Sequence, residues 1–291
     1  MPDRQRGIDH LVLCARDLEA ARAAYRSFGF TTTPPAQHPF GTANSLVQLQ
    51  GNFLELIAIA NPAEIRPLQP DEFSFGKYIQ NFLQRREGMS MLVFESHDAV
   101  ADQAEFVRKE IETYEPFHFE RPATLPDGKT VTVGFSLAFA TTPDMPEAVF
   151  FTCQQHAPQY FWKPEYQSHA NGARTVREVV MVAESPGRLA RFFASLQPPC
   201  AVSLDSKGLQ VATSRGQITV LTTDLFMDRF GTPAPGPDTP YFAAYTISVT
   251  DMDATAAVLR ANGVAWRRRG PSIVIDAGAA FGVILEFVSE T

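Results

Sequence analysis

The sequence predicts an α+β chain of four βαβββ modules, paired into two partial β-barrels, or cups, with helices outside. Two observations carry that reading. A strand–helix–strand–strand–strand order is legible between Gly7 and Ile59, and it comes back later in the chain. Asp17 and Gly29 bracket the first helical stretch twelve residues apart, and Asp251 and Gly263 bracket the last with the same spacing. Matched internal spacing of this kind marks a repeated unit. A four-stranded sheet with one helix leaves its other face bare, and a second copy can cover it.

In the first unit, Ile8 and Leu11 to Leu13 supply a short aliphatic strand. Asp17 is a good N-cap, and Leu18, Ala21, Tyr25 and Phe28 follow at helical spacing. Gly29 stands where a helix favours a left-handed residue. Phe30–Thr33, Asn44–Gln50 and Phe53–Ile59 read as three strands, the last two joined at Gly51-Asn52. The second copy overlays the first at an offset of 81, with Ala101, Ala104, Val107 and Ile111 as its helical stripe. A proline-marked loop, RPATLPDGKT, then precedes strands over Val131–Ala140 and Ala148–Gln154. The third begins at Val176, with Ser185 as cap and a hairpin turning at Arg215-Gly216. The fourth runs from Ala244 and closes on ILEFV, so Glu286 takes the place that Glu55 has in FLELI. Pro62 to Arg86 reads as a spacer of short helical turns, and Tyr160 to Arg174 as an irregular crossover. Two domains follow, approximately 1–160 and 170–291.

A formal charge of −7 argues against nucleic acid, and Arg267-Arg268-Arg269 reads as a solvated strand edge. No apolar run approaches a membrane span and MPDRQRGID has no hydrophobic segment, so a cytoplasmic protein with no membrane partner is expected. Three scattered cysteines without a CxxC pair indicate neither a disulfide framework nor a cysteine zinc site. Four copies in one chain can form two closed cups without a partner, which leaves monomer and homodimer both open.

His10 and Glu55 interrupt apolar strands. Such groups are costly unless paired, hydrogen-bonded or bound to a metal. Either they satisfy each other in a core, or they project into a cavity and bind something. His38 and Asn44, in HPFGTANS, can orient a small polar ligand at a strand end or simply form an Asx turn. FFTCQQH turns from apolar to polar, which marks Cys153, Gln155 and His156 as further candidates for ligand binding.

IDHLVL…DLEAA…GF, HPFGTAN and FLEL together resemble the glyoxalase-like domain group of the vicinal oxygen chelate superfamily, which includes glyoxalase I, bleomycin-resistance proteins and extradiol dioxygenases. The resemblance implies ligands for one divalent ion (zinc, manganese, iron or nickel) on the first and last strands of paired modules. His10 and Glu55 match one such pair. Their counterparts in the second copy are Met91 and Phe151, neither a good ligand, so the third would come from Cys153, Gln155, His156 or His38. In the second half Glu178, Ala244 or Tyr245, and Glu286 hold the corresponding positions, without the two histidines of an iron site. The implied chemistry is a lyase or isomerase step on a small carbonyl compound, metal-assisted, with Glu55 moving a proton. The alternatives are a metal-free cup that sequesters a small molecule, as bleomycin-resistance proteins do, and a scaffold whose site has decayed.

Overall fold

The computed structural model describes residues 5–67, 69, 71–124, 128–198 and 201–290. The first module comprises β1 (Ile8–Cys14), α1 (Leu18–Ser27), β2 (Ala36–Gln37), β3 (Thr42–Gln48) and β4 (Phe53–Ile59), followed by α2 (Phe75–Arg85). The second comprises β5 (Gly88–Ser96), α3 (Ala99–Arg108), β6 (Glu112–Thr113), β7 (Phe117–Thr124), β8 (Thr130–Thr141) and β9 (Val149–Gln155). A short α4 (Pro158–Phe161) opens the crossover. The third has β10 (Ala173–Val182), α5 (Ala190–Leu196), β11 (Val202–Asp205), β12 (Gly208–Ala212) and β13 (Gln217–Leu221), then α6 (Thr223–Phe230). The last has β14 (Tyr241–Val249), α7 (Met252–Ala261), β15 (Arg267–Arg269), β16 (Ser272–Ile275) and β17 (Ile284–Ser289).

The paired modules share sheets. One sheet of nine strands runs β2-β3-β4-β1-β5-β9-β8-β6, with β7 on β8; another of eight runs β11-β12-β13-β10-β14-β17-β16-β15. Antiparallel pairing of β1 with β5, and of β10 with β14, joins the modules in each. The two-residue period of β1 sorts its side chains: Leu11 and Leu13 join one core, Val12 and Cys14 another. The first of these cores also holds Val179, Met181 and Phe242, so the two sheets meet through the layer that contains the helices. Phe150 packs against Phe193 and Phe242 there, both at 5.5 Å between ring centroids. The concave faces therefore point away from each other.

Both aspartates cap as their position predicts. Asp17 accepts from the amides of Glu19 and Ala20, and Asp251 from those of Asp253 and Ala254. Each such cap contributes about 1 kcal/mol. Gly29 is left-handed (φ +92°), and a Cβ there would lie 2.8 Å from Asn171 and from Val258. That close approach lets the end of α1 seat on α7 and the crossover.

Several expectations are corrected. Phe30–Thr33 is not a strand: Thr33 makes one backbone bond, to Leu46, and Pro34 and Pro35 have no amide hydrogen to extend the ladder. The short β2 begins directly after the two prolines, at Ala36. RPATLPDGKT is strand up to Thr124, because β7 pairs only with β8 and an edge position tolerates Pro122; residues 125–127 of that stretch lie outside those described. In α3 the buried residues are Ala99 and Phe106, while Val107 is 57% exposed and Ile111 lies past the helix end. Ser185 makes no capping bond; a 3₁₀ turn over Pro186–Leu189 precedes α5. The Pro62–Arg86 spacer contains an eleven-residue helix, whose Phe75, Ile79 and Phe82 close the bottom of the first cup.

Candidate functional site

Residues from β3 (Asn44, Leu46) and from β7 (Phe119, Arg121) line one cavity, although they stand near opposite ends of the strand order. The nine-stranded sheet must therefore curl until its ends face each other. The cavity is partly open, has a volume of about 40 Å³ and is lined by seven phenylalanines, with His10, His38, Asn44, Glu55, Arg121 and Cys153 as its polar or ionisable groups.

Alternation along β1 and β4 aims His10 and Glu55 inward, and both are nearly inaccessible to water. The His10 ring stacks on Phe53 at 4.3 Å and meets the edge of Phe151, the counterpart of Glu55 in the second module. His10 Nδ1 lies 2.7 Å from Asp9 Oδ2. A carboxylate only accepts, so Nδ1 carries a proton, and in the neutral ring the lone pair is then on Nε2. Nε2 faces Glu55 Oε2 at 3.8 Å, too far for a hydrogen bond.

The other oxygen of Glu55 is engaged. Asn44 Nδ2 donates to Oε1 at 2.5 Å and lies 3.2 Å from His38 Nε2. An amide nitrogen has two hydrogens, so Asn44 serves both partners when His38 carries its proton on Nδ1, 2.8 Å from Thr42 Oγ1. Burial lowers the His38 pKa from its ordinary 6.5 to about 4, with Glu55 opposing that shift and Arg121 adding to it. His38 is thus a neutral ring whose Nε2 lone pair is occupied. Cys153 lines the floor, where burial, followed by the charges of Asp9 and Glu55, pushes its thiol well above the usual range. It is a protonated lining group and not a ready nucleophile.

Of the residues singled out in the sequence, His10, His38, Asn44, Glu55 and Cys153 come together at this cavity. Gln155 stands behind it, donating to Asp9 Oδ1 at 3.3 Å. His156 is on the surface, bonded to Ser136 and beside His118. Sequence reasoning missed Asp9 and Arg121. Strict alternation turns Asp9 away from His10, but a register shift in the β1–β5 pairing between Ile8 and His10 breaks that alternation. The signal for Arg121 is only a charged residue beside a proline, in a stretch that reads as loop.

The second concave face is built differently. Arg229, from α6, lies 2.6 Å from Glu178 and 2.8 Å from Glu286 through one nitrogen. Thr219 and Thr246 donate to the same two carboxylates. A guanidinium stands between the glutamates, and the guanidinium and hydroxyl hydrogen bonds hold Glu178 below the ordinary carboxylate range despite its burial.

A family model described as a glyoxalase-like domain matches residues 8–197. No curated protein matches the sequence. Among solved structures, a hypothetical protein from Staphylococcus aureus is similar, with a TM-score of 0.68 and 11% identity over 98% of this chain and 99% of that one. A mutant 4-hydroxymandelate synthase from Streptomyces coelicolor gives a TM-score of 0.60 and 12% identity, over 97% of this chain and 92% of that one. A xylose isomerase-like TIM barrel/4-hydroxyphenylpyruvate dioxygenase fusion protein gives 0.57 and 11%, over 98% of this chain but 49% of that one. At such identities the likeness is one of fold. Among the described residues no helix is long and apolar enough to cross a membrane.

Proposed function

This chain belongs to the glyoxalase-like domain family, within the vicinal oxygen chelate superfamily, and from that premise we propose that its first cup takes a small oxygenated, carbonyl-containing molecule. On this reading Glu55 moves a proton on that molecule, in a lyase or isomerase step. The observation behind it is the 3.8 Å gap between His10 Nε2 and Glu55 Oε2. With His10 as the neutral Nδ1–H tautomer and Glu55 ionised, two atoms that only accept face one point, and no hydrogen of either side chain lies between them. A hydroxyl or enol of a bound molecule supplies the donor the gap lacks. Oε2 is the oxygen available to take a proton, since Oε1 is held by Asn44. The 1–160 and 170–291 halves are, on the same reading, separate domains, with the site in the first.

Members of the superfamily often use a divalent metal ion. The donors here fall short of one: His10 Nε2 and Glu55 Oε2 offer two ligands, and the His38 lone pair is turned to Asn44. Among the described residues no group of three or more His, Cys, Asp or Glu side chains is arranged to hold an ion. Catalytic sites take about three protein ligands. The residues do not fit a resident metal.

That shortfall, with the phenylalanine lining, also favours a second reading, a metal-free cup that sequesters its ligand. Proton exchange separates the two. With hydroxyketones in D₂O, the enzyme reading expects deuterium to enter the carbon next to the carbonyl, and the rate to fall at least about 100-fold in Glu55→Gln. Saturable binding without exchange supports sequestration. Neither binding nor exchange across hydroxyketones and aryl ketones sinks both.

A further inference from the structure

We propose that the ligand of the first cup is an anion with a flat apolar body, and that Arg121 holds its carboxylate. The inference rests on the cup reading above and names the class of molecule it accepts. Arg121 projects from β7, the strand that pairs only with β8, and is the single cationic side chain among the cavity's lining residues. Its Nε is shut off from water and has no hydrogen-bond partner. Burial holds its guanidinium below its ordinary value, and Glu55 compensates only through space. A guanidinium so placed has donors to spare, in the fork that matches a carboxylate.

Position adds a second, independent argument. The cavity shares Asn44, Leu46, Arg121 and Phe161 with an outer cleft of about 520 Å³, which Lys163 also lines. Arg121 therefore stands where the cleft meets the cavity, on the path a ligand takes. Across a chain of net charge −7 an approaching anion is repelled, and a cation at the neck is the local correction. The cavity walls beside Arg121 are aromatic, with the Phe161 ring packed against both Phe53 and Phe135. The geometry thus sorts a ligand into three parts: a carboxylate at Arg121, a neighbouring hydroxyl at the His10–Glu55 gap, and a ring among the phenylalanines.

Three probes test this by calorimetry or ligand-observed NMR: 3-phenyllactate, which has all three parts; 3-phenylpropane-1,2-diol, which lacks the charge; and lactate, which lacks the ring. Phenyllactate is expected to bind about tenfold or more tighter than either of the others. Arg121→Gln is expected to bring phenyllactate down to the level of the diol without changing the diol, and Arg121→Lys to restore part of the preference. Circular dichroism melts show whether each variant is folded. Equal affinity for phenyllactate and the diol, a preference that survives Arg121→Gln, or no binding of any probe by wild-type protein overturns the anion assignment. His10→Ala reports separately on the underlying reading. If it weakens both aromatic probes alike while they bind wild-type protein equally, the cup reading stands and the anion does not. If it changes neither probe while Arg121→Gln removes the preference, the anion stands and the His10–Glu55 gap does not.

Discussion

Asn44 and Glu55 are joined by a 2.5 Å hydrogen bond between neighbouring strands, and the same amide lies against His38. One neutral side chain thus fixes which Glu55 oxygen is free and which His38 nitrogen is protonated. Asn44→Ala is expected to destabilise the fold by about 2 kcal/mol, because it strands a buried carboxylate oxygen and a buried imidazole nitrogen. Asn44→Asp should cost more at pH 8 than at pH 5, since it sets a second carboxylate against the first. Urea titrations at the two pH values check both; an unchanged midpoint for Asn44→Ala would show the amide to be dispensable.

His38 gives the fold an acid limit. Its pKa in the folded chain is about 4, against an ordinary 6.5, so between those values the unfolded chain binds the extra proton. Stability therefore falls as pH drops from 6.5 towards 4, by on the order of 3 kcal/mol from this residue. His38→Gln is expected to flatten that part of the stability–pH curve. The same slope in both proteins would assign the acid sensitivity elsewhere.

Arg229 holds the second concave face together. Arg229→Met leaves Glu178 and Glu286 facing each other, and a loss of about 3 kcal/mol is expected at pH 7. Glu178 is held below the ordinary carboxylate range, so in the natural chain its contribution is present above about pH 4.5 and lost as pH falls through the lowered folded value. In the variant the sign reverses, and acid should relieve the repulsion. Adding Glu178→Gln and Glu286→Gln to Arg229→Met should recover most of the loss. No recovery would mean that the arginine acts through packing on Phe230, its cation–π neighbour.

Metal content is the direct check on the donor count. After chelation and dialysis the protein is expected to retain no stoichiometric zinc, manganese, iron or nickel, and His10→Ala to match it in elemental analysis. One equivalent of metal, absent from both His10→Ala and Glu55→Gln, would mean that His38 turns away from Asn44 to complete a site.

The sequence by itself determined the modules. Helix caps, left-handed glycines and two-residue alternation are local properties, and they mark Asp17, Gly29, Asp251 and Gly263 without reference to anything distant. Alternation also turned His10 and Glu55 to the same side of their strands. Only the tertiary structure decided what meets them there. Asp9 reaches His10 because pairing with β5 shifts register; Arg121 reaches the cavity because the sheet curls until β7 faces β3; Arg229 joins Glu178 to Glu286 from a helix outside the repeated unit. Curvature and register arise from contacts between residues far apart in the chain, and no periodicity within one segment records them.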